Sequence, residues 1–351
     1  MKLSVSIFCL SLICVIYSCQ SNEPLKGELG YAVIPVEIPD SAHFRGLQTI
    51  SDEVVWLSGT EGTVMLTTNG GKSWNDVTVP ECESLDFRDI HALDKKRAWV
   101  MSSGNGARIY YTENAGKDWT LQFEDKNQKV FLDGMDFKDA LNGVAFGDPL
   151  GDYMSPTAMD VLTTSDGGLN WNRIPVESLP TAWEDEAGFA ASGTGVVYKE
   201  NTIWIATGGG EISRILKSED KGATWNAYKT PIKGGSGQGV FSMAMKDKMN
   251  GVVVGGDYVD STRVKYNCAV TADGGITWEL IEENGPLGYR SCVAITNSGT
   301  AIACGRTGID KSSDFKTWSS ISTEGYFTCD AAETYVWLAG RRGKVAKMRV
   351  E

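Results

Sequence analysis

Short hydrophobic runs alternate with polar, glycine-containing turns along almost the whole chain. Residues 44–79 contain four such runs, at Phe44–Ile50, Val54–Ser58, Thr63–Thr67 and Trp74–Val79. Residues 240–282 repeat the arrangement, with runs at Val240–Met245, Gly251–Val254, Tyr266–Thr271 and Trp278–Glu282. Runs of this length that are rich in β-branched and aromatic residues and bounded by turn residues are typical of strands. The pattern therefore predicts an all-β protein built from repeated four-stranded units.

A polar motif recurs once in each unit, between the third and fourth predicted strands. It reads Thr or Ser, any residue, Asp or Asn, any residue, Gly, any two residues and Trp, and copies begin at Thr67, Thr112, Thr164, Ser218 and Thr271. A sixth copy, from Ser312, is one residue short and lacks the glycine. In a hairpin turn the Asp or Asn side chain accepts backbone N–H groups, and the glycine takes a positive φ. These motifs, called Asp boxes below, are interpreted as structural.

The motif tryptophans are spaced by 45, 52, 54, 53 and 40 residues, which is the length of one propeller blade with its loops. After the sixth Asp box only three further strands can be placed, within residues 326–350. Val33–Glu37 resembles Ile174–Glu177, a segment on the fourth-strand side of an Asp box. We therefore expect a seven-bladed β-propeller over residues 31–351. Its last blade is closed by the N-terminal strand, which removes an exposed sheet edge.

The first 30 residues are typical of an exported lipoprotein. Lys2 precedes a short apolar run that ends in Ile16-Tyr17-Ser18-Cys19, which resembles a bacterial lipobox. This predicts a signal peptide at residues 1–18, lipidation of Cys19 and a polar tether at residues 19–30. An ordinary signal peptide is the alternative. The expected location is the cell envelope, lipid-anchored in the outer membrane on its periplasmic side or at the cell surface.

Composition argues against several classes of function. The 45 acidic and 33 basic residues give a net charge of −12, so a broad nucleic-acid-binding surface is not expected. Two histidines and the absence of Cys-x-x-Cys spacing argue against a zinc site, and no Rossmann glycine fingerprint indicates a dinucleotide cofactor. No metal or cofactor is therefore predicted. The five later cysteines are interpreted as buried packing residues, and a disulfide between Cys292 and Cys329 stays open.

The predicted channel mouth is the candidate binding face. In a propeller the first strand of each blade lines the channel, and the Asp boxes lie on the opposite face. Aligning the first strands places Arg45, Arg88 and Arg290 at one equivalent position, and Arg306 lies on a nearby loop. These four arginines form a basic arc that can grip carboxylates. The alternative is that they pair locally with carboxylates such as Asp86 and stiffen the rim.

Acidic and aromatic residues are predicted on the opposite arc of the mouth. The candidate contacts there are Asp133, Asp257, Tyr258, Tyr153 and Trp183, the last being the one tryptophan that the repeat does not require. A mouth with opposite charges on its two arcs can orient a polar or zwitterionic partner.

Several segments of the chain resemble a family of bacterial Asp-box propellers that are often labelled oxidoreductases. They are Phe44–Leu47, Leu85–Asp89, Gly188–Thr194, Val254–Tyr258 and Gly288–Ser291. The wider group includes the photosystem II assembly and stability factor, a seven-bladed scaffold. The resemblance implies the propeller fold and, for function, a non-catalytic scaffold that binds a protein or polar ligand, in which case the chain is expected to be a monomer.

A sialidase-like or other glycan-acting hydrolase is the alternative function. Phe44-Arg45 resembles the arginine motif at the start of sialidase propellers, where an arginine triad binds the substrate carboxylate. That resemblance implies Arg45, Arg88 and Arg290 as the triad, Tyr258 or Tyr289 as nucleophile and Asp133 as acid. Sialidases have six blades, whereas this chain predicts seven. Under this alternative the partner is an anionic glycan.

Overall fold

The computed structural model describes residues 31–104, 106–150 and 157–350. Cys19, Tyr153, the predicted signal peptide and the predicted tether lie outside the described residues. The described chain is almost entirely β-structure, with a single short 3-10 helix at Val176–Ser178. Within these residues, no helix has the length and hydropathy that crossing a membrane would require.

The strands are numbered in chain order. The first half of the chain contains β1 (Val33–Val36), β2 (Phe44–Thr49), β3 (Val55–Gly59), β4 (Val64–Thr67), β5 (Asn75–Asp76), β6 (Phe87–Ala92), β7 (Ala98–Ser102), β8 (Ala107–Thr112), β9 (Thr120–Asp125), β10 (Leu132–Phe137), β11 (Gly143–Leu150), β12 (Ala158–Thr164) and β13 (Asn172–Arg173). The second half contains β14 (Glu186–Ala187), β15 (Val196–Lys199), β16 (Thr202–Ala206), β17 (Gly208–Ser218), β18 (Asn226–Met245), β19 (Gly251–Asp257), β20 (Cys268–Thr271), β21 (Glu279–Leu280), β22 (Cys292–Ile295), β23 (Ala301–Gly305), β24 (Gly308–Ser312), β25 (Ser319–Ser322), β26 (Thr328–Ala331), β27 (Tyr335–Ala339) and β28 (Val345–Arg349).

The described strands form six antiparallel sheets, five with four strands and one with eight. Consecutive strands make up the sheets β2–β5, β6–β9, β10–β13 and β22–β25. The eight-stranded sheet runs in order from β15 to β21, with β14 paired to β17, and the 20-residue β18 runs unbroken through its middle. In the remaining sheet, strands β26, β27 and β28 continue to β1, whose Val33 lies opposite Met348.

The core lies between adjacent sheets, and tryptophans on the second strands mark it. Trp56, Trp99, Trp204 and Trp337, all predicted on second strands, are at most 1% exposed on β3, β7, β16 and β27. The Trp56 indole N–H donates to the Asp94 carbonyl of the next sheet at 3.0 Å, and the Trp204 N–H donates to Gly274 at 2.9 Å. These two indoles therefore tie their sheets to a turn of the next one, while their rings fill the space between the sheets.

The Asp-box turns make the hydrogen bonds that their residue types dictate. In the fifth turn the Asp273 carboxylate accepts the backbone N–H of Thr277 at 2.9 Å and its hydroxyl at 2.6 Å. The Thr271 hydroxyl accepts the Gly275 N–H at 2.9 Å, and Gly275 has a φ of 88°. The truncated sixth turn has Phe315 at a φ of 65°, so an ordinary residue there takes the left-handed conformation that glycine takes in the others.

The five described cysteines are all free thiols in buried positions. The pair Cys292 and Cys329 is therefore not joined by a disulfide. Cys292 lies opposite Cys304 across β22 and β23, and its thiol donates to the Cys329 carbonyl at 3.2 Å. Their burial agrees with the expectation that they pack as small apolar residues.

Candidate functional site

A bulge in the first strand of a sheet places one side chain at the channel mouth. Pairing between β2 and β3 passes from Phe44–Gly59 to Gly46–Ser58 and skips Arg45, and pairing between β6 and β7 skips Arg88 in the same way. A bulge leaves its extra residue out of the ladder and re-aims the side chain. Both arginines, predicted from the sequence, are thereby brought together at one cavity.

This cavity, called the arginine mouth below, has a volume of about 380 Å³. It is lined by Arg45, Arg88, Phe189, Ala190, Ala191, Phe241, Tyr258, Tyr289, Ser291, Arg306, Phe327 and Arg341. Four guanidinium groups therefore meet five aromatic rings, and none of the described residues that line the cavity is a carboxylate. Such a composition suits an anionic group attached to an apolar body.

Arg45 has no carboxylate in contact with its guanidinium group within the described part of the chain. Its Nε is buried without a hydrogen-bond partner, and its guanidinium carbon lies 4.5 Å from the centre of the Phe327 ring. Burial lowers the pKa of Arg45, and the positive charges of Arg88 and Arg341 lower it further, against the opposing effect of the Asp86 carboxylate. No ion pair to Arg45 is formed within the described part of the chain. A carboxylate placed beside Arg45 would offset both the free-energy cost of burying its charge and the repulsion from the neighbouring arginines.

Two of the other arginines are held by local contacts. Arg88 forms an ion pair with Asp86, with 2.7 Å between Nε and Oδ2, as the alternative of local pairing predicted. Arg306 donates from Nη1 to the Tyr258 carbonyl at 3.0 Å, which fixes its position at the rim. Pairing with a carboxylate of the chain therefore explains the arginine at position 88, whereas it does not explain the arginine at position 45.

Arg290 does not lie at the mouth, so the alignment that made it equivalent to Arg45 is wrong. Cys292 pairs with Cys304, and the Ser291 N–H donates to that same Cys304. The extra residue of this strand is thus Ser291, which lines the mouth in place of Arg290. Arg290 is 1% exposed and forms a buried ion pair with Asp310, at 2.6 Å between Nη2 and Oδ2.

The predicted acidic contacts are largely occupied inside the protein. Asp257 uses Oδ1 to accept the N–H groups of Val259 and Asp260, so it caps the loop after β19. Asp133 occupies the bulge of β10 but is 1% exposed and does not line the mouth. Burial raises the pKa of Asp133 well above its usual range, and the nearby charge of Asp148 adds to the effect.

Of the predicted aromatic contacts, Tyr258 lines the mouth and is 44% exposed. Trp183 lies in a neighbouring groove instead. Its ring is 4.5 Å from the guanidinium carbon of Arg214 and 5.1 Å from the ammonium of Lys229. Both are cations of the chain itself, so the structure supplies internal partners for this indole.

The groove that contains Trp183, called the acidic groove below, adjoins the arginine mouth. It has a volume of about 830 Å³ and is lined by Asp148, Pro149, Thr157, Ala182, Trp183, Glu184, Asp185, Glu186, Ala187, Phe189, Gly209, Gly210, Gly235, Ser236 and Gly237. Phe189 lines both cavities. On the other side of the mouth, Arg306, Phe327 and Arg341 also line a cavity of about 290 Å³ that includes Lys344.

Sequence reasoning missed the aromatic floor of the mouth. Phe189 stacks on Phe241 with ring centres 3.9 Å apart, and Tyr289 meets Phe241 edge-on at 4.7 Å. Pairing between β18 and β19 skips Phe241, just as pairing between β2 and β3 skips Arg45. An alignment based on the bulge position, rather than on residue identity, would have found Phe241.

The constellation required by the hydrolase alternative is not assembled. The guanidinium of Arg290 is engaged with Asp310, away from Arg45 and Arg88. Tyr289 is 4% exposed, and burial raises its pKa above the ordinary value of a tyrosine. Within the described ranges, no group of three or more His, Cys, Asp or Glu residues is placed to hold a metal ion.

Sequence comparison shows similarity to photosystem II assembly factors. The family model described as photosynthesis system II assembly factor YCF48 matches residues 31–134. The photosystem II stability/assembly factor HCF136 of Arabidopsis thaliana is 26% identical over 130 residues, covering 35% of this chain and 29% of that protein. The photosystem II assembly lipoprotein Ycf48 of Prochlorococcus marinus (strain MIT 9312) is 23% identical over 184 residues, covering 52% of this chain and 48% of that protein. The chain thus spans about half or less of these relatives.

Solved structures establish the fold over nearly the whole chain. A structure of YCF48 bound to D1 peptide has a TM-score of 0.64 at 14% identity, covering 91% of this chain and 97% of that one. A WD40 β-propeller domain, that of Doa1, is similar as well. The chain is therefore an all-β propeller whose sequence is similar to the photosystem II assembly factors.

Proposed function

We propose that this protein is a non-catalytic scaffold that binds a polypeptide segment through a carboxylate held in the arginine mouth. One observation carries the proposal, namely that Arg45 is partly buried against the Phe327 ring, has an Nε atom without a hydrogen-bond partner and forms no ion pair within the described part of the chain. A desolvated guanidinium is compensated best by a planar carboxylate, which it binds through two parallel hydrogen bonds.

The dimensions of the mouth favour an extended segment over a folded surface. A cavity of about 380 Å³ admits one or two side chains or a chain end. Three guanidinium groups around Arg45 make a nearby negative charge favourable, and the rings of Phe327 and Tyr258 supply apolar contact. Similarity to a protein whose structure holds a D1 peptide supports a protein partner.

We further propose that the propeller has seven blades and forms one domain over residues 31–351. Counting the eight-stranded sheet as two blades joined through the long β18 gives seven. The pairing of Val33–Val36 with β28 supports the N-terminal strand as the fourth strand of the last blade. We also propose that the protein is a monomer.

Lipid anchoring at Cys19 completes the proposal and places the scaffold in the cell envelope, where it takes part in protein assembly. The support is the lipobox-like sequence and a relative that is named an assembly lipoprotein. Cells fed a labelled fatty acid are expected to label the full-length protein, and Cys19→Ala is expected to remove the label. Absence of label from the unaltered protein would exclude the anchor.

Binding of a carboxylate is tested directly with synthetic probes. A fluorescent peptide with glutamate residues and a free C-terminus, its amidated glutamine counterpart and N-acetylneuraminic acid separate peptide carboxylates from an anionic sugar. We expect the acidic peptide to bind and Arg45→Ala to weaken it by about tenfold or more, the equivalent of one charge-assisted hydrogen bond.

The matched control is Arg97→Ala, because Arg97 pairs with Asp94 in a loop away from the mouth. That variant is expected to bind the peptide as the unaltered protein does. Equal binding of the acidic and amide peptides, or full binding by Arg45→Ala, would contradict a carboxylate site at the mouth. Binding of the sugar alone would transfer the proposal to glycans.

A further inference from the structure

We propose that the bound polypeptide carries a second feature, a lysine or arginine side chain that lies in the acidic groove while the carboxylate lies in the arginine mouth. This inference rests on the proposed function and adds a fixed order of charges to it. The partner is thus a segment that presents a carboxylate, then an apolar side chain, then a basic side chain.

The two cavities adjoin at Phe189. This residue lines both the arginine mouth and the acidic groove, and its ring stacks on that of Phe241, which also lines the mouth. In the proposed complex the bound segment passes over these rings from the mouth to the groove. The stacked rings offer an apolar side chain a surface between the two cavities.

The charges at the two ends are segregated. Among the described residues, the mouth is lined by four arginines and no carboxylate, whereas the acidic groove is lined by four carboxylates and no lysine or arginine. Glu186 is neutralised internally, since Arg214 donates to it from Nε at 2.9 Å. Asp148, Glu184 and Asp185 remain for a ligand.

The Asp148 carboxyl that lines the groove interacts electrostatically with a buried carboxyl, that of Asp133. The Oδ2 atom of Asp133 has no hydrogen-bond partner; burial raises the pKa of this carboxyl well above its usual range, and repulsion from Asp148 adds to the effect. Asp148 itself accepts one hydrogen bond, from the Gly188 N–H at 2.9 Å. A ligand cation beside Asp148 would relieve this pair of carboxyls together.

The volume of about 830 Å³ leaves room in the groove for a long side chain. Glycine backbone forms part of the lining, and at Gly209 it packs so closely against β14 that a Cβ would lie only 1.9 Å from the Asp185 carbonyl oxygen. The cations that already cover Trp183 belong to the chain, so a ligand ammonium finds the carboxylates rather than the indole. Lysine and arginine have the length and charge that this space accepts.

The test uses peptides that differ only at the basic position. Each carries a carboxylate residue, a leucine and then lysine, norleucine or glutamate, with spacers of about two to six residues at roughly 3.3 Å each. Anisotropy is measured at low salt and at about 0.5 M salt, where exposed charges are screened. We expect the lysine peptide to bind about tenfold more tightly than the norleucine peptide at one spacing, and less so in high salt.

The groove variant is Glu184→Gln combined with Asp185→Asn, since asparagine tolerates the positive φ of 59° at position 185. It is expected to lose the preference for lysine and to bind the norleucine peptide unchanged. The control pair, Glu53→Gln with Glu113→Gln, neutralises two carboxylates that line a separate cavity and is expected to keep the preference.

The outcomes separate this inference from the proposed function. If the norleucine peptide binds and depends on Arg45, but lysine brings no gain or the groove variant keeps that gain, the order of charges is wrong and the carboxylate site stands. If no peptide binds, or if binding ignores Arg45, the carboxylate site and the order of charges are both wrong.

Discussion

At the scale of single residues, the position of one bulge decides whether an arginine is available to a ligand. Arg45 occupies the bulge of its strand and reaches the mouth, whereas Arg290 precedes the bulge at Ser291 and turns inward to Asp310. Because side chains alternate between the faces of a strand, a shift of one residue turns a side chain from the channel to the interior of the protein. Residue identity alone does not reveal this offset.

Arg290 is therefore expected to serve stability. Arg290→Met leaves the buried Asp310 without its counter-charge and should cost about 3–5 kcal/mol of unfolding free energy, measured with denaturant. Arg290→Met with Asp310→Leu should recover most of this loss, and Arg45→Ala should change stability by less than about 1 kcal/mol. A fully stable Arg290→Met variant would refute the structural role.

Asp273 illustrates the role of the Asp-box carboxylates. Despite some burial, hydrogen bonds from Thr277 and its neighbours lower the pKa of Asp273 to about 2. Asp273→Ala leaves the turn N–H groups of Ile276 and Thr277 without this acceptor and should cost about 1–3 kcal/mol. Peptide binding at the mouth should be unchanged. If Asp273→Ala lost peptide binding while its melting temperature stayed unaltered, this turn would belong to the binding site instead.

At the scale of elements, the sequence predicted most strands because each has its own local signal. The second strands were placed by their buried runs, and the hairpin turns by the spacing of Thr, Asp or Asn, Gly and Trp. The two fourth strands predicted at Trp74–Val79 and Trp278–Glu282 are shorter in the structure, at Asn75–Asp76 and Glu279–Leu280, and in both the motif tryptophan precedes the strand. The unbroken β18 was not foreseen, since its glycine-rich middle, residues 234–239, has the composition of a loop.

The candidate site was predictable only in part, for a physical reason. Arg45, Arg88, Arg306 and Tyr258 could be placed at the mouth from strand order and loop position. The roles of Asp133, Asp257 and Trp183 could not, because they depend on partners from other strands and loops. Tertiary contacts of this kind leave no periodic signal in the sequence.

The N-terminal strand gives an element-scale prediction. Val36 packs in the same cluster as Trp337, and β1 covers the edge of β28. Deleting residues 20–38 should expose that edge and cause aggregation, seen by light scattering and size-exclusion chromatography. Deleting residues 20–30 alone keeps β1 and serves as the control. A monomeric, equally stable protein without residues 20–38 would show that the edge needs no cover.

At the scale of the whole molecule, the protein has an excess of negative charge, and its positive and negative groups are also distributed unevenly. The chain has a net charge of −12, yet four arginines meet in one cavity beside a groove lined by carboxylates. A positive site on an acidic protein attracts anionic groups locally while the rest of the surface repels them. Selectivity for a segment with both signs of charge follows from this arrangement.

Buried carboxyl groups give the folded protein a characteristic dependence on pH. Burial raises the pKa of Asp89 to about 8, although the backbone N–H groups of Met135 and Ile90 lower it. In an unfolded chain an aspartate has a pKa near about 3.9. Between these values the folded protein holds a proton that the unfolded chain releases. Its contribution to stability is complete below about pH 4 and is lost as the pH rises toward about 8.

The expected result is a loss of about 1.4 kcal/mol of unfolding free energy per pH unit from this one group between about pH 5 and 7. Asp89→Asn has no titrating proton at this position. The slope of its unfolding free energy against pH should therefore be smaller than that of the unaltered protein by about 1.4 kcal/mol per pH unit, whatever the absolute stability of the variant. Asp94→Asn is the control, because hydrogen bonds from Lys96 and Arg97 keep the pKa of this exposed carboxyl lowered, against the effect of slight burial. Denaturant titrations across this range supply the measurement. Equal slopes for Asp89→Asn and the unaltered protein would mean that Asp89 is already ionised in the fold at pH 5.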